Sequence, residues 1–283
     1  MDVIKDFDDY EIIGMSDGEK LESWGDYILL RPDPQIVWHE DIDTSNVHAH
    51  YHRSNKGGGH WEKLKKLPDS WQVNYKDLVF NVKLMSFKHT GIFPEQAVNW
   101  EFMMNKIKNA KRDIKVLNLF AYTGCATACC LKAGASVVHV DSSRGMIDWA
   151  KENIKSSKLK DKPVRFLVDD CIKFVEREIR RGNKYDAIVM DPPSFGRGAS
   201  GEVWDIEKDL FKLVSLCMEI LSDTPLFFII NSYTAGFSPT VLENILKITI
   251  CKKYSGKLSC GEIGVTAKNG LVLPCGVYAR YEE

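Results

Sequence analysis

The chain has 283 residues, 44% of them hydrophobic and 27% charged, with a formal net charge of -1. That suffices for one large domain, or a large and a small one, and the composition is ordinary for a soluble globular enzyme. No apolar run approaches the roughly 18–20 residues of a membrane helix, the acidic start "MDVIKDFDDYEIIG" has no signal-peptide pattern, and neither end carries a lipidation or retention signal.

Residues 1–88 read as a small β-rich domain. The segments "KLESWGDYILLRP" and "SWQVNYKDLVFNVKLMSF" favour strands, "NKGGGHW" is a loop, and the boundary falls near "FKHTGIFPEQ". Acidic residues dominate 1–43, whereas 53–88 carry Arg53, Lys56, Lys63, Lys65, Lys66, Lys76, Lys83 and Lys88. Such a segment can meet phosphates, although a solvated charged face is the commoner explanation. His48, His50 and His52 alternate and would share one face of a strand. Three histidines can bind zinc; a surface cluster is the preferred reading, with no metal expected.

From residue 115 onward strands and helices alternate through 89–283. "IKVLNLFA", "SVVHVD", "VRFLVDD", "YDAIVMDPP" and "PLFFIIN" are strands, each followed by a helical pattern, the last being "PTVLENILKITICKK". Near-continuous apolar strands between amphipathic helices predict an α/β fold with a mostly parallel sheet covered on both faces. "KLSCGEIGV" and "LVLPCGVYARY", joined through "KNG", predict a closing antiparallel hairpin. Ligands of such a sheet bind at the carboxyl ends of its strands, where the strand order reverses. The eight cysteines form no CxxC pair, which predicts reduced thiols in a cytoplasmic protein.

The loop after the first of these strands, "LFAYTGC", lacks the glycine fingerprint of a pyrophosphate site. Phe120 and Tyr122 stand at the earlier positions and only Gly124 remains, so a smaller ligand without phosphates fits better. The second strand ends in Asp141, whose two oxygens suit a pair of ribose hydroxyls. The third ends in Asp169-Asp170, where a carboxylate can accept from an adenine amine and the next backbone N–H, that of Cys171, can serve a ring nitrogen. Ribose and adenine without phosphate point to S-adenosylmethionine. Asp141 and Asp170 can equally cap the helices that follow them.

The motifs "VLNLFAYTGCAT", "VVHVDSSRGMIDWAKEN", "VDDCIKF" and "DPPSFGRG", in this order, resemble the class I methyltransferase branch containing the bacterial large-subunit ribosomal RNA methyltransferases. The resemblance covers roughly 89–283 and implies a Rossmann-like, mostly parallel seven-stranded sheet. It also implies S-adenosylmethionine as cofactor and S-adenosylhomocysteine as product. In that family the segment here reading "HTGIFPEQAVNW" folds over the cofactor, which assigns Thr90, Phe93 and Gln96 to it. Asn118 and Ser142 join Phe120, Tyr122, Gly124, Asp141, Asp170, Cys171 and Asp191 in the cofactor shell. These relatives open with an RNA-binding PUA domain, for which this chain has too few residues before its β-rich segment.

The fourth strand runs into "DPPSFGRGASGEVW". In amino methyltransferases an Asp/Asn-Pro-Pro-aromatic turn accepts hydrogen bonds from an exocyclic amine, and the aromatic stacks on a flipped-out base. Asp191, Pro192 and Pro193 fit that pattern; Ser194 stands where the aromatic belongs, and Phe195 follows it. Cytosine-C5 methylation needs a cysteine thiolate, and "IINSYTAGFS" after the fifth strand has none. Asn231 and Tyr233 there are candidates for a polar substrate edge, Asn231 equally for a turn. Arg197 is a phosphate contact or a partner of Glu202, and Trp204 reads as a core residue.

The expectation is a methyltransferase acting on a nucleobase nitrogen, with ribosomal RNA as substrate. Asp191, Pro192 and Phe195 would carry catalysis. The alternatives are methylation of a small molecule or protein side chain, and an RNA-binding module without turnover. No membrane partner is expected, and monomer and homodimer both stay open.

Overall fold

The computed structural model describes residues 1–4, 7–54, 57–198 and 201–283. Lys56 of the basic segment and Ala199-Ser200 of the glycine-rich loop lie outside the described residues. The chain divides into two compact units. One comprises Asp2–Val98 with Ile263–Cys275; the other comprises Asn99–Glu262 and Gly276–Glu283, with Met1. Among the described residues no helix is long and apolar enough to cross a membrane.

In the first unit β1 is Asp2–Val3, and a five-stranded sheet follows in the order β2 (Tyr10–Ser16), β3 (Glu19–Trp24), β4 (Tyr27–Pro32), β5 (Ala49–Arg53) and β6 (Gly59–Lys63). Only the β4–β5 pair is parallel. β7 (Trp71–Tyr75) and β8 (Leu78–Val82) form a separate hairpin. Both segments expected as strands are thus hairpins, each broken at a left-handed residue: Gly25 (φ 62°) and Lys76 (φ 51°). β1 pairs with Ile263 and Gly264 of a later strand in this same unit.

One face of this sheet buries charge. Glu22 on β3 is fully buried and accepts a bidentate pair of hydrogen bonds from Arg31 on β4, at 2.5 and 2.7 Å. The Tyr10 hydroxyl donates to it at 2.6 Å, Lys20 lies 3.7 Å away, and the Arg31 guanidinium rests over the Trp24 ring. Burial alone would raise the Glu22 pKa. The charges of Arg31 and Lys20, with the hydrogen bonds from Arg31 and Tyr10, outweigh burial and bring it to about 2.

After β8, a single 3-10 turn at Pro94–Gln96 leads into α1 (Ala97–Asn109). The second unit then alternates: β9 (Lys115–Leu119), α2 (Cys125–Lys132), β10 (Ser136–Asp141), α3 (Arg144–Ser156), β11 (Val164–Val168), α4 (Cys171–Arg181) and β12 (Ala187–Met190). A short hairpin of β13 (Phe195–Arg197) and β14 (Val203–Asp205) precedes α5 (Ile206–Cys217) and β15 (Phe227–Ser232). α6 (Pro239–Ile248), α7 (Ile250–Lys253) and the strands β16 (Lys257–Thr266) and β17 (Val272–Glu282) complete the chain.

The strand order is β16-β17-β15-β12-β9-β10-β11. β15, β12, β9, β10 and β11 pair in parallel and β17 runs antiparallel to β15, so a mostly parallel sheet ends in a hairpin as expected. Period-two alternation explains its double coverage. Leu117, Leu119, Val138, Val140, Ile188, Met190, Phe228 and Ile230 share one core cluster with Phe174 and Leu213 from the helices. The intervening Asn118, His139, Val189 and Ile229 are buried too. The single helix expected over 239–253 is interrupted at Thr249 (φ -116°, ψ -87°), whose hydroxyl donates to the Ile245 carbonyl at 2.6 Å.

Removing one member of the buried ion pair leaves its partner charged and desolvated. Glu22→Gln is expected to cost about 3–5 kcal/mol in urea unfolding, and Glu22→Leu with Arg31→Met less than that. The folded pKa of Glu22 lies below the unfolded value of about 4.3. Its stabilisation is therefore complete above that value and fades as pH falls toward about 2. Acid unfolding followed by circular dichroism should lose this component in the double variant.

Candidate active site

The strand order reverses between β9 and β12: β10 and β11 extend one way, β15 and β17 the other. The carboxyl ends of β9 and β12 therefore meet at the position where open α/β sheets bind ligands.

The loop leaving β9 holds three left-handed residues in alternation: Phe120 (φ 52°), Tyr122 (φ 50°) and Gly124 (φ 83°). The conformation is costly for two aromatic residues and persists only where surroundings over-determine it. Here they do. Asp141 Oδ2 accepts from the Tyr122 backbone N–H at 2.9 Å, and the Ala121 N–H donates to the Val140 carbonyl at 3.0 Å. Asn153 of α3 donates to the Thr123 carbonyl at 2.8 Å. Gly124 caps α2, and a Cβ on it would stand 2.9 Å from the Ala150 Cβ. Under the loop, Thr127 links the Asn118 amide and His139 Nδ1, at 3.0 and 2.9 Å. Burial pulls the His139 pKa down to about 3, so its imidazole is neutral.

The other Asp141 oxygen accepts from the Ser143 N–H at 2.9 Å, while the Ser143 hydroxyl caps α3 through Met146 N. Burial pushes the Asp141 pKa up, and the N–H groups of Ser143 and Tyr122 work against that rise. Each carboxylate oxygen has two lone-pair sites, so a carboxylate already spread over two amides still suits two hydroxyls. Asp170 caps α4 through Lys173 N at 2.9 Å. The buried Cys171 thiol is hydrogen-bonded to the Phe120 backbone, and burial holds its pKa well above the usual thiol value. Two strand-end acids are thus caps or loop anchors by geometry, which leaves their ligand role compatible. The donor set fits S-adenosylmethionine: a carboxylate for a diol, a second acid for an amine, and a loop with no pyrophosphate cradle.

At the end of β12, Asp191 is half-buried, Pro192 buried and Pro193 exposed. The Trp204 indole donates to the Pro193 carbonyl at 2.7 Å and packs against Phe120 at 4.7 Å between ring centroids. Trp204 is a core residue, as its sequence context suggests, and it ties the turn to the β9 loop. Ser194 shares a 2.7 Å hydrogen bond with Thr234. Phe195 projects with 57% of its surface exposed, the Arg197 guanidinium 6.0 Å from its ring centroid. Glu202 pairs with Lys173 of α4.

At the end of β15, Asn231 is buried and accepts from Asn99 of α1 at 2.7 Å; Asn99 in turn accepts from Arg280 Nε at 2.7 Å. Asn231 therefore anchors a buried network, whereas Tyr233 is exposed. Asn99, Thr127, His139, Asn153 and Arg280 were not singled out in the sequence. Their partners lie up to 181 positions away, and a polar residue in a helix or strand pattern gives no local sign of burial. In the first unit, Thr90 and Gln96 are buried and Phe93 lies 5.3 Å from His89 between ring centroids. The free thiols of Cys125 and Cys130 are buried, which pushes each up to about 12. Neither is poised as a nucleophile.

Gly124→Ala combines a left-handed backbone with a clash against Ala150 and should destabilise the protein by about 1–2 kcal/mol. Thermal unfolding checks this, with Gly182→Ala, also left-handed but with open space at its Cβ, separating the backbone cost from the clash.

Comparison with known proteins agrees with this geometry. The chain is 32% identical over 190 residues to the ribosomal RNA large subunit methyltransferase K/L of Pseudoalteromonas atlantica, covering 66% of this chain and 26% of that protein. It is 31% identical over 206 residues to the protein of the same name from Syntrophotalea carbinolica, covering 70% and 28%. It thus spans about a quarter of the length of these curated relatives. The crystal structure of an S-adenosylmethionine-dependent methyltransferase from Agrobacterium tumefaciens superposes with a TM-score of 0.93 at 34% identity, covering 99% of this chain and 92% of that one. A methyltransferase solved with S-adenosylhomocysteine shares the fold, with a TM-score of 0.73 at 19% identity and coverage of 98% and 76%. The profile of the S-adenosylmethionine-dependent methyltransferases matches residues 36–249, and the chain belongs to that family.

Proposed function

We propose that this chain methylates a nucleobase nitrogen in RNA, with ribosomal RNA the substrate class to test first. S-adenosylmethionine supplies the electrophilic methyl group. The chain's own residues bind, orient and keep out water. The Asp141 carboxylate takes the ribose hydroxyls, Asp170 the adenine amine and the Cys171 N–H a ring nitrogen. Phe120, Tyr122 and Gly124 shape the floor, with Asn118 and Ser142 behind them. In the resembling family the segment that holds Thr90, Phe93 and Gln96 contributes to cofactor binding, and that role is proposed for them by resemblance alone.

The observation that carries the acceptor reading is the turn after β12. Its Pro193 carbonyl is occupied by Trp204, and Phe195 stands exposed beside it. Asp191 and the Pro192 carbonyl would accept hydrogen bonds from an exocyclic amine and align its lone pair with the methyl. Bound S-adenosylmethionine would give up its carbon–sulfur bond to the attacking nitrogen, and Asp191 or water would take the proton that nitrogen sheds. Phe195 offers a face for an unstacked base, and Arg197 a charge for a phosphate. Tyr233, exposed after β15, would meet the same substrate. Asn231 contributes through the network that holds the β15 end. Residues 1–88, with their basic segment, are assigned to substrate recognition. The relatives named as ribosomal RNA methyltransferases support RNA as the target. Eight free cysteines suit a cytoplasmic setting.

Labelled methyl transfer to RNA from a strain lacking the gene, followed by nucleoside mass spectrometry, tests the reading. It predicts one methylated nucleoside restored by the protein. Label entering only a metabolite or protein fraction would reassign the substrate. Asp191→Ala should lower kcat by about 100-fold or more while leaving cofactor affinity within a few-fold. Asp141→Ala should weaken S-adenosylmethionine binding by about 100-fold or more in calorimetry, the loss expected when two hydrogen bonds to a charged acceptor go. The ionised Asp141 is the form that accepts both hydroxyls, and its pKa is raised. Affinity should therefore fall on acidification, beginning at higher pH than for an exposed aspartate, and Asp141→Asn should flatten that profile.

A further inference from the structure

The first unit carries a side-chain cluster that methyl transfer does not use. His50 and His52 alternate along β5, and the antiparallel register sets His50 opposite Glu62 and His52 opposite His60 on β6. Paired residues share a face, so these four side chains form one block. His48, expected to complete an alternating trio, precedes the strand and accepts from the Ile28 N–H through Nδ1. The histidines that meet are therefore not the three that the spacing suggests.

The geometry within the block is close. His50 Nε2 lies 2.6 Å from Glu19 Oε1, and His52 Nε2 lies 2.8 Å from Glu62 Oε2. The two imidazole centroids are 4.0 Å apart, with the His60 ring 5.4 Å from that of His52. One ligand atom from each of His50, His52 and Glu62 falls within 4.8 Å of the others. The His50 side chain is 20% exposed and that of His52 37%, so the block is partly desolvated but open to an entering ion. By contrast, the His39–Asp17 contact is a lone pair with 74% and 66% exposure.

The block gathers imidazole nitrogens and carboxylate oxygens on one face of the sheet, and these are the usual donors to zinc. Zinc bonds of about 2.0–2.2 Å require donors roughly 3.4 Å apart, which these partly exposed side chains reach by shifts of about 1 Å. We propose that His50, His52 and Glu62 bind a zinc-class divalent ion, with Glu19 orienting the His50 ring through their 2.6 Å contact. The ion would clip β5 to β6.

Untagged, chelator-stripped full-length protein titrated with Zn2+ in a calorimeter tests this, with Co2+ absorption reporting tetrahedral coordination. The expected result is one saturable equivalent per chain and a melting temperature that rises with Zn2+. His52→Gln and Glu62→Gln should each weaken binding by at least about 100-fold, since loss of even an outer-shell partner costs about 10–100-fold. Both should abolish the thermal shift, while His39→Gln changes neither. Circular dichroism and melting without metal establish that the variants fold. Absence of saturable binding to the wild type would overturn the proposal, as would binding that survives both substitutions in folded protein.

Discussion

The Asp141 carboxylate bridges two backbone amides, Tyr122 in the loop after β9 and Ser143 at the start of α3, and the geometry of the cofactor loop follows from that bridge. Phe120 and Tyr122 sit in left-handed conformations that an isolated peptide would abandon. They are held because Asp141, Asn153 and the Val140 carbonyl each take one group of the loop's backbone. The carboxylate pays for this with burial, which lifts its pKa. By restraining this strain, Asp141 pre-organises the loop surface that the proposed cofactor would meet.

The turn after β12, proposed to meet the methyl acceptor, is tied to the same loop through aromatic contact. Phe120 packs on Trp204, and Trp204 hydrogen-bonds the Pro193 carbonyl. The two prolines after β12 are thus held from outside as well as by their own rings. Loss of the Trp204 indole would loosen the turn and the β9 loop at once.

Much of this was legible in the sequence because parallel strands buried on both faces leave a distinctive run of apolar residues, and because their ends carry acids and glycine at fixed offsets. The five parallel strands and the closing hairpin were found that way, and Trp204 was read as core. What was not legible depends on long-range pairing. Residues 263–275 join the N-terminal strands, although nothing in their pattern distinguishes them from the rest of the hairpin. Gly25 and Lys76 split two expected strands into hairpins, and a lysine in a left-handed turn carries no compositional signal. The break at Thr249 arises from a hydroxyl that competes for a backbone carbonyl. Asn231 reads as a substrate or turn residue from its strand-end position, yet Asn99 and Arg280, far away in sequence, bury it in a network.

Family membership and the strand-end acids are the grounds for the proposal that the cofactor sits at the β9, β10 and β11 ends. Hydrogen–deuterium exchange with and without S-adenosylhomocysteine tests that placement most directly. Saturating ligand should protect the amides of residues 118–124, 141–143 and 169–171 above the rest of the second unit. Saturable binding that leaves those three segments unprotected, or no binding at all, would contradict it.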